Sequence, residues 1–384
     1  MVSRPIVSTL VLAATVSLIG ARAAQSVSAD DAPYFPPRDA WERKRPAEVA
    51  MDSGALQAAI EFARANENRF PRDLRRALEE RNVSEPYPEL LGPFRERGGP
   101  AGLVIRHGYI VASWGDVDRA DMTFSVAKSY LATVAGLALD DGLIRNVNDP
   151  VRAYVRDGGF EGRNATITWH HLLTQTSEWE GTLWDKPDVA DRREGRDRVL
   201  RQPGTFWEYN DVRVNRTALA LLRVWKRPLP EVLKERIMDL IGASSTWEWH
   251  GYRNSFVEID GKRMQSVSGG GHWGGGVWAS THDHARFGLL MLRRGAWGDR
   301  RLLSEKWITM ATTPTPIKPV YGYMWWLNPD RARYRSASPS SVFALGAGGN
   351  VIWIDPEHDL VVVTRWLAEQ RVDEFMGLVM KAVN

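Results

Sequence analysis

Residues 121–143, DMTFSVAKSYLATVAGLALDDGL, place a lysine inside a run of small and apolar residues that otherwise has the composition of a buried helix. Lys128 is the only lysine between Lys44 and Lys186. An unpaired ammonium in a core helix is costly, so its position calls for a reason. Ser125 lies three residues earlier, on the same helical face about one turn away, and the two form the only Ser-x-x-Lys of the chain. With Thr123 as cap, Ser125 falls in the first turn, where free backbone N–H groups and the helix dipole favour negative charge. A serine hydroxyl becomes a useful nucleophile when a base takes its proton. Lysine can be that base if burial in an apolar wall lowers its pKa. The competing reading has Lys128 snorkelling to solvent and Ser125 only capping the helix, and the helix by itself does not separate the two.

Upstream, Asp52 or Ser53 caps an amphipathic helix, SGALQAAIEFARANEN, and GLVIRHGYIVASWG reads as two β-type runs about a His107-Gly108 turn. Downstream, from Met122 to about Leu290, the signals are mostly helical or loop-like, including VNRTALALLRVW, LPEVLKERIMDLIG and the Ser280-capped STHDHARFGLLMLRRG. Strand signals return with YGYMWWL, SVFALGAG, NVIWID and LVVVTRW, and the helix VDEFMGLVMKAV closes the chain. Strands at both ends around a helical middle predict one sheet assembled from the two termini. Residues 52–120 and 291–384 would form that discontinuous sheet-and-helix domain, and 121–290 a mainly helical lobe. A cleft between two such lobes is a common place for a ligand.

At 384 residues, 43% hydrophobic and 25% charged, the chain exceeds one minimal core and is neither disordered nor collagen-like in composition. It contains no cysteine, which excludes disulfides, a thiol nucleophile and cysteine metal sites. Residues 1–23, with Arg4, an apolar stretch from Pro5 to Gly20 and Ala21-Arg22-Ala23 as an A-x-A site, predict a signal peptide and hence a periplasmic or secreted protein. Residues 24–51, rich in Pro and charge, read as an extended lead-in. The apolar run is short for a membrane span and no second one follows, so no stable membrane partner is expected after cleavage. The formal charge of +3 falls towards neutrality with the loss of Arg4 and Arg22, and no basic tract points to nucleic acid. The sequence assigns no oligomeric state.

Two further segments could carry chemistry. In QPGTFWEYNDVRVN, Tyr209 follows a Pro203-Gly204 turn just ahead of a helix. Near an ammonium it could act as general base or shuttle a proton, and Asp211 could hold the lysine or the substrate. Alternatively Tyr209 is a buried aromatic and Asp211 the helix N-cap. In ALGAGGNVIWID, the glycines at 346, 348 and 349 weaken a strand edge, which fits close approach by a ligand or another backbone. The backbone N–H groups of Ser125 and Asn350 could then form an oxyanion hole; a bulge or tight turn is the alternative. His282-x-His284 lies on a capped helix without third and fourth ligands at suitable spacing, so no metal is expected there. The Gly-rich GGGHWGGGVW lacks the strand-then-helix setting of a phosphate cradle, although His272 and Trp273 could line a cleft. No Gly-x-Ser-x-Gly elbow is present.

Taken in order, Ser125-x-x-Lys128, the Tyr209 loop and the Gly-containing strand resemble the serine β-lactamase and penicillin-binding protein superfamily. Within it the chain is similar to the class C related branch that includes β-lactamase-type carboxylesterases and 6-aminohexanoate-dimer hydrolases. Two other stretches, ITWHHLLTQTSEWEG and GGGVWASTHDHARFGLLML, resemble non-catalytic segments of that family, and the likeness runs from about Pro46 to the end. The resemblance implies an α+β, β-lactamase/transpeptidase-like fold of two lobes: an antiparallel sheet flanked by helices, an all-helical lobe, and the site between them. It implies Ser125 as the acylated nucleophile, Lys128 as its base partner and Tyr209 as a second proton-transfer residue, with no metal or organic cofactor.

Two departures bear on the substrate. Tyr209-Asn210-Asp211 puts a carboxylate where the family carries an amide that contacts substrate, and Ala347-Gly348-Gly349, aligned with the third motif, lacks its basic side chain. In penicillin-recognising members that cation faces the substrate carboxylate. The expected partner is therefore a small-molecule ester or short amide, contacted by Asp211, Ala347, Gly348 and Gly349. A β-lactamase or a D-alanyl-D-alanine carboxypeptidase is the rival enzyme, and a binding protein that keeps the fold without turnover is the rival of another class.

Overall fold

His107 and Gly108 both adopt the left-handed conformation (φ 52° and 88°) that a two-residue hairpin turn requires. Strands β1 (Ala101–Arg106) and β2 (Tyr109–Trp114) pair antiparallel around it, as the sequence predicts. The computed structural model describes residues 1–2 and 33–383. Apart from its first two residues, the expected signal peptide lies outside the described residues, as does the start of the lead-in. Every element below belongs to the unit that begins at Tyr34.

Four later strands complete the sheet: β3 (Trp326–Leu327), β4 (Val342–Gly346), β5 (Asn350–Asp355) and β6 (Leu360–Arg365). The order is β3-β4-β5-β6-β1-β2, antiparallel throughout, with Ala101 opposite Arg365 where the two ends of the chain meet. Side chains alternate between two cores. Val104, Ala112, Trp353 and Val362 pack under helices α1 (Ser53–Ala65) and α5 (Val372–Ala382). Leu103, Ile105, Ile352, Ile354, Val361 and Val363 face the opposite way. Both faces are covered, which is why NVIWID and LVVVTR read as nearly unbroken apolar runs rather than as alternation.

Helix α4 (Thr281–Leu292) covers that second face and starts from a Ser280/Asp283 capping box. Gly288 lets it approach closely, since a Cβ there would stand 2.7 Å from Val361 Cγ1. The helix therefore belongs with the sheet, and the expected boundary at 290/291 falls inside it. The segment before it is also less helical than expected. Helices α2 (Ala127–Asp140) and α3 (Asp211–Trp225) form its centre. Beside them lies a four-stranded antiparallel sheet of Asp121–Met122, Gly276–Ala279, Glu248–Ile259 and Lys262–Val267. Asp260-Gly261, at φ 50° and 74°, makes its hairpin turn. The outward positions of EWHGYRNSFVEID carry so many polar residues that the alternation is diluted in sequence.

YGYMWWL also differs from expectation. Only Trp326 and Leu327 pair with β4, because Met324 at φ 57° turns the chain just before them. No helix among the described residues is long and apolar enough to cross a membrane.

Candidate active site

Ser125 sits in a 3-10 turn, Phe124–Val126, that leads into α2, one step earlier than the expected first helical turn. Phe124 is left-handed at φ 48°, a strained state for a side chain of its size. Edge-on contacts with Phe70 and Trp366, each 6.4 Å between ring centroids, hold it there. Thr123 does not cap the helix. Its Oγ1 and N–H both donate to Val277 O, at 2.7 and 3.0 Å, fastening the turn to the small sheet.

Lys128 is 1% exposed, on a helix buried continuously from Ala127 to Ala138. Its Nζ donates to Ser125 Oγ at 2.8 Å and to Gly269 O at 3.1 Å, and it lies 2.6 Å from Asp211 Oδ1. Two N–H bonds thus meet hydroxyl and carbonyl acceptors, and the charge is balanced by an ion pair with Asp211. The expected apolar wall does not surround the ammonium, because α3 delivers a carboxylate to it.

Asn210, not Asp211, caps α3, accepting from Arg213 N at 3.1 Å. The cap is itself gripped: Asn210 N donates to Gln175 Oε1 at 2.9 Å and its Nδ2 to Asp188 O at 2.8 Å. Gln175 belongs to the ITWHHLLTQTSEWEG stretch, whose place in the site is to brace this loop. Asp211 N donates to Asp191 Oδ2 at 2.5 Å. The buried Tyr209 ring has Lys128 Nζ 4.9 Å and the Arg193 guanidinium 4.8 Å from its centroid, and it stacks on Trp326 at 5.8 Å.

Burial alone would push the Asp211 carboxyl up, but the Lys128 ammonium, His272 and Arg193 outweigh it and hold Asp211 well below the usual carboxylate range. At Asp191 the Arg193 guanidinium, His272 and the Asp211 N–H do not outweigh burial. Burial, then the charge of Asp211, raises it to about 6. Burial first and Asp211 second also push the Tyr209 phenol up, against the pull of Ser125 and Arg193, so Tyr209 is protonated at neutral pH. Burial would lower the His272 pKa, yet Asp211, Asp191 and Glu85 raise it overall. Asp191, Asp211 and His272 bring potential metal-ligand atoms within 4.8 Å of one another, but Lys128 and Arg193 already supply positive charge at that spot.

Ser125, Tyr209 and Asp211 open onto a cavity of about 970 Å³ that His272, Trp326 and the end of β4 also line. Trp273 does not reach it; that side chain is fully buried, with Nε1 donating to Tyr87 O at 3.0 Å. Of the third motif, Ala347 and Gly349 line the cavity and Gly348 does not. The Gly348 N–H donates to Glu369 Oε1 at 2.7 Å. Gly349, at φ 68°, is a glycine because a Cβ would stand 1.6 Å from Leu367 O, so the close approach is by backbone rather than ligand.

Asn350, whose backbone N–H the sequence offers to an oxyanion, is not among the residues lining the cavity. It pairs with Gly346 in the β4–β5 ladder, and its side chain is spent on Ala347 O and Arg365 Nε, each at 2.7 Å. The β4 residue pressed against the turn that carries Ser125 is Gly346, where a Cβ would be 2.1 Å from Thr123 O. Asp191, Arg193 and Gly269 are site residues that the sequence did not mark. The first two lie in DVADRREGRDR, a charged run with the look of a solvated face.

The described geometry has counterparts. A family model described as Beta-lactamase matches residues 89–370. The 6-aminohexanoate-dimer hydrolase of Paenarthrobacter ureafaciens is 24% identical over 318 residues, covering 72% of this chain and 74% of that protein. A beta-lactamase/D-alanine carboxypeptidase from Pseudomonas syringae superposes with a TM-score of 0.55 at 15% identity, over 81% of this chain and 98% of that one. A penicillin-binding protein homologue from Caulobacter crescentus gives 0.55 at 16% identity, over 80% and 96%. The two structures share the fold that the sequence motifs imply.

Proposed function

Because the chain belongs to the beta-lactamase family, we propose that it is a serine hydrolase, exported by its leader, which forms an acyl-enzyme on Ser125 from small esters or short amides. The observation that carries this is the 2.8 Å contact between Ser125 Oγ and Lys128 Nζ on the wall of a cavity that Tyr209 shares.

With the Asp211 carboxylate 2.6 Å from its Nζ, Lys128 is assigned an electrostatic part. Tyr209, protonated, works as a relay. As Ser125 Oγ bonds to the substrate carbonyl carbon, its proton passes to the Tyr209 oxygen while the phenolic proton goes to the leaving oxygen or nitrogen. Water then attacks the acyl-enzyme, losing a proton to Tyr209 as Tyr209 returns one to Ser125 Oγ. The N–H groups of Ser125 and Ala347 are the pair assigned to the oxyanion, since Gly346 lays this end of β4 against the nucleophile turn. The relative named for 6-aminohexanoate-dimer hydrolysis favours short amides alongside esters, and no cation on Ala347-Gly348-Gly349 favours a β-lactam.

Intact-mass measurement after mixing with p-nitrophenyl butyrate, a short anilide or nitrocefin tests this. A butyryl adduct on the parent chain and none on Ser125→Ala is expected. Nitrocefin turnover without esterase activity would instead favour a β-lactamase, and no adduct or turnover with any of them a binding protein.

A further inference from the structure

The carboxylates lining the cavity are engaged, whereas Arg69, Arg81 and Arg333 have no ion pair among the described residues and Arg193, the one beside Tyr209, has only a long one. Glu67 is bound by Arg97 at 2.7 Å and Arg72 at 2.9 Å, Glu369 accepts from Gly348 N at 2.7 Å, and Asp211 holds Lys128. Arg193 has only Asp191 Oδ1, at 3.5 Å, and the other oxygen of Asp191 is committed to Asp211 N. Its side chain is half exposed, towards the cavity it lines. Arg333, also lining it, stacks on Trp326 at 4.5 Å and has no ion pair among the described residues. The two guanidiniums flank the stacked Tyr209–Trp326 pair, Arg193 on the Tyr209 side and nearer the chemistry. A planar guanidinium held on an aromatic face keeps its N–H fork free for a carboxylate.

We propose that Arg193 binds a carboxylate borne by the leaving group of the substrate, making acylated hydroxy acids and amino acids the preferred substrate class. This rests on the acyl-enzyme proposed for Ser125, because Tyr209, under Arg193, is the residue that hands a proton to the leaving group. The cation comes from the loop after Asp191 and not from the strand carrying Ala347. The absence of a basic residue at Ala347-Gly348-Gly349 therefore leaves the cavity cationic, with the charge on its Tyr209 side. Arg193 is a specificity-determining residue that acts by contact with the substrate.

The test pairs 3-acetoxybenzoate with its uncharged isostere 3-acetoxybenzamide. Dissociation constants are measured on Ser125→Ala, which holds both without turnover, and kcat/KM on the parent chain. The carboxylate is expected to bind about 10- to 100-fold more tightly than the amide, the range of one charge-assisted contact. Adding Arg193→Gln should collapse that ratio towards unity, and Arg193→Lys should restore part of it. Equal binding of both compounds overturns the proposal, as does a preference that survives Arg193→Gln and disappears with Arg333→Gln. The two levels separate cleanly. Preferential binding without acylation of Ser125 would sink the acyl-enzyme and leave the anion site standing. Ser125-dependent turnover of both compounds at equal kcat/KM, with equal binding, would do the reverse.

Discussion

Lys128 Nζ stands 2.6 Å from Asp211 Oδ1, with both side chains withdrawn from solvent, so the lysine that stands out in the sequence is half of a buried ion pair. Such a pair adds little over an apolar replacement of both partners, but loss of one partner strands a charge. Lys128→Met and Asp211→Leu should each cost about 3–5 kcal/mol, and the double variant clearly less than their sum. Denaturant unfolding of the four proteins checks this; additive losses would mean that the pair is not coupled.

Tyr209→Phe removes the oxygen proposed as the relay and keeps the ring on Trp326. The expected loss is about 10²- to 10⁴-fold in kcat, with KM and melting temperature little changed. Steady-state kinetics on p-nitrophenyl butyrate read it. A variant within a factor of two of the parent would remove Tyr209 from the chemistry.

Asp191 governs a pH effect. Its pKa is raised to about 6, chiefly by burial and then by Asp211, so the folded state favours the protonated form. The stability it contributes is complete below the ordinary carboxylate range and is lost as pH rises through about 6. Asp191→Asn keeps an acceptor for Asp211 N and cannot ionise. Thermal melts should therefore show the variant gaining on the parent protein between about pH 4.5 and 7.5. A difference that does not change with pH would reject the assignment.

Gly346→Ala introduces a Cβ 2.1 Å from Thr123 O. The turn that carries Ser125 or β4 must yield, at a cost of about 1–3 kcal/mol, and the proposed hydrolase activity should fall more steeply than stability. Melting and initial-rate measurements on one preparation distinguish that from plain unfolding.

What the sequence made legible follows from range. Ser125 and Lys128 share a helical face, so their spacing alone brings them together. The His107-Gly108 hairpin and the Asp52 cap are equally local, the latter accepting from Ala55 N at 2.6 Å. Which end of the β4–β5 hairpin meets the cavity depends on the ladder register across residues 347–349, so the sequence does not single out Ala347 over Asn350. Arg193 and Asp191 were hidden because only tertiary structure folds their charged loop inward. Glu178 anchors it through Arg198, at 2.6 and 2.7 Å. Asp211, the partner of Lys128, stands out in the sequence beside Tyr209, but the helix that carries the lysine does not reveal that the two are buried together.

Arg365 reaches Met122 O, Ala279 O and Asn350 Oδ1 from the last residue of β6, clasping both sheets beside the turn that carries Ser125. A chain interrupted before that residue would contain every motif, Ser125 through Gly349, and still lack the buckle that aligns them. During synthesis the centre is therefore assembled last, when the strand that ends at Arg365 closes on it.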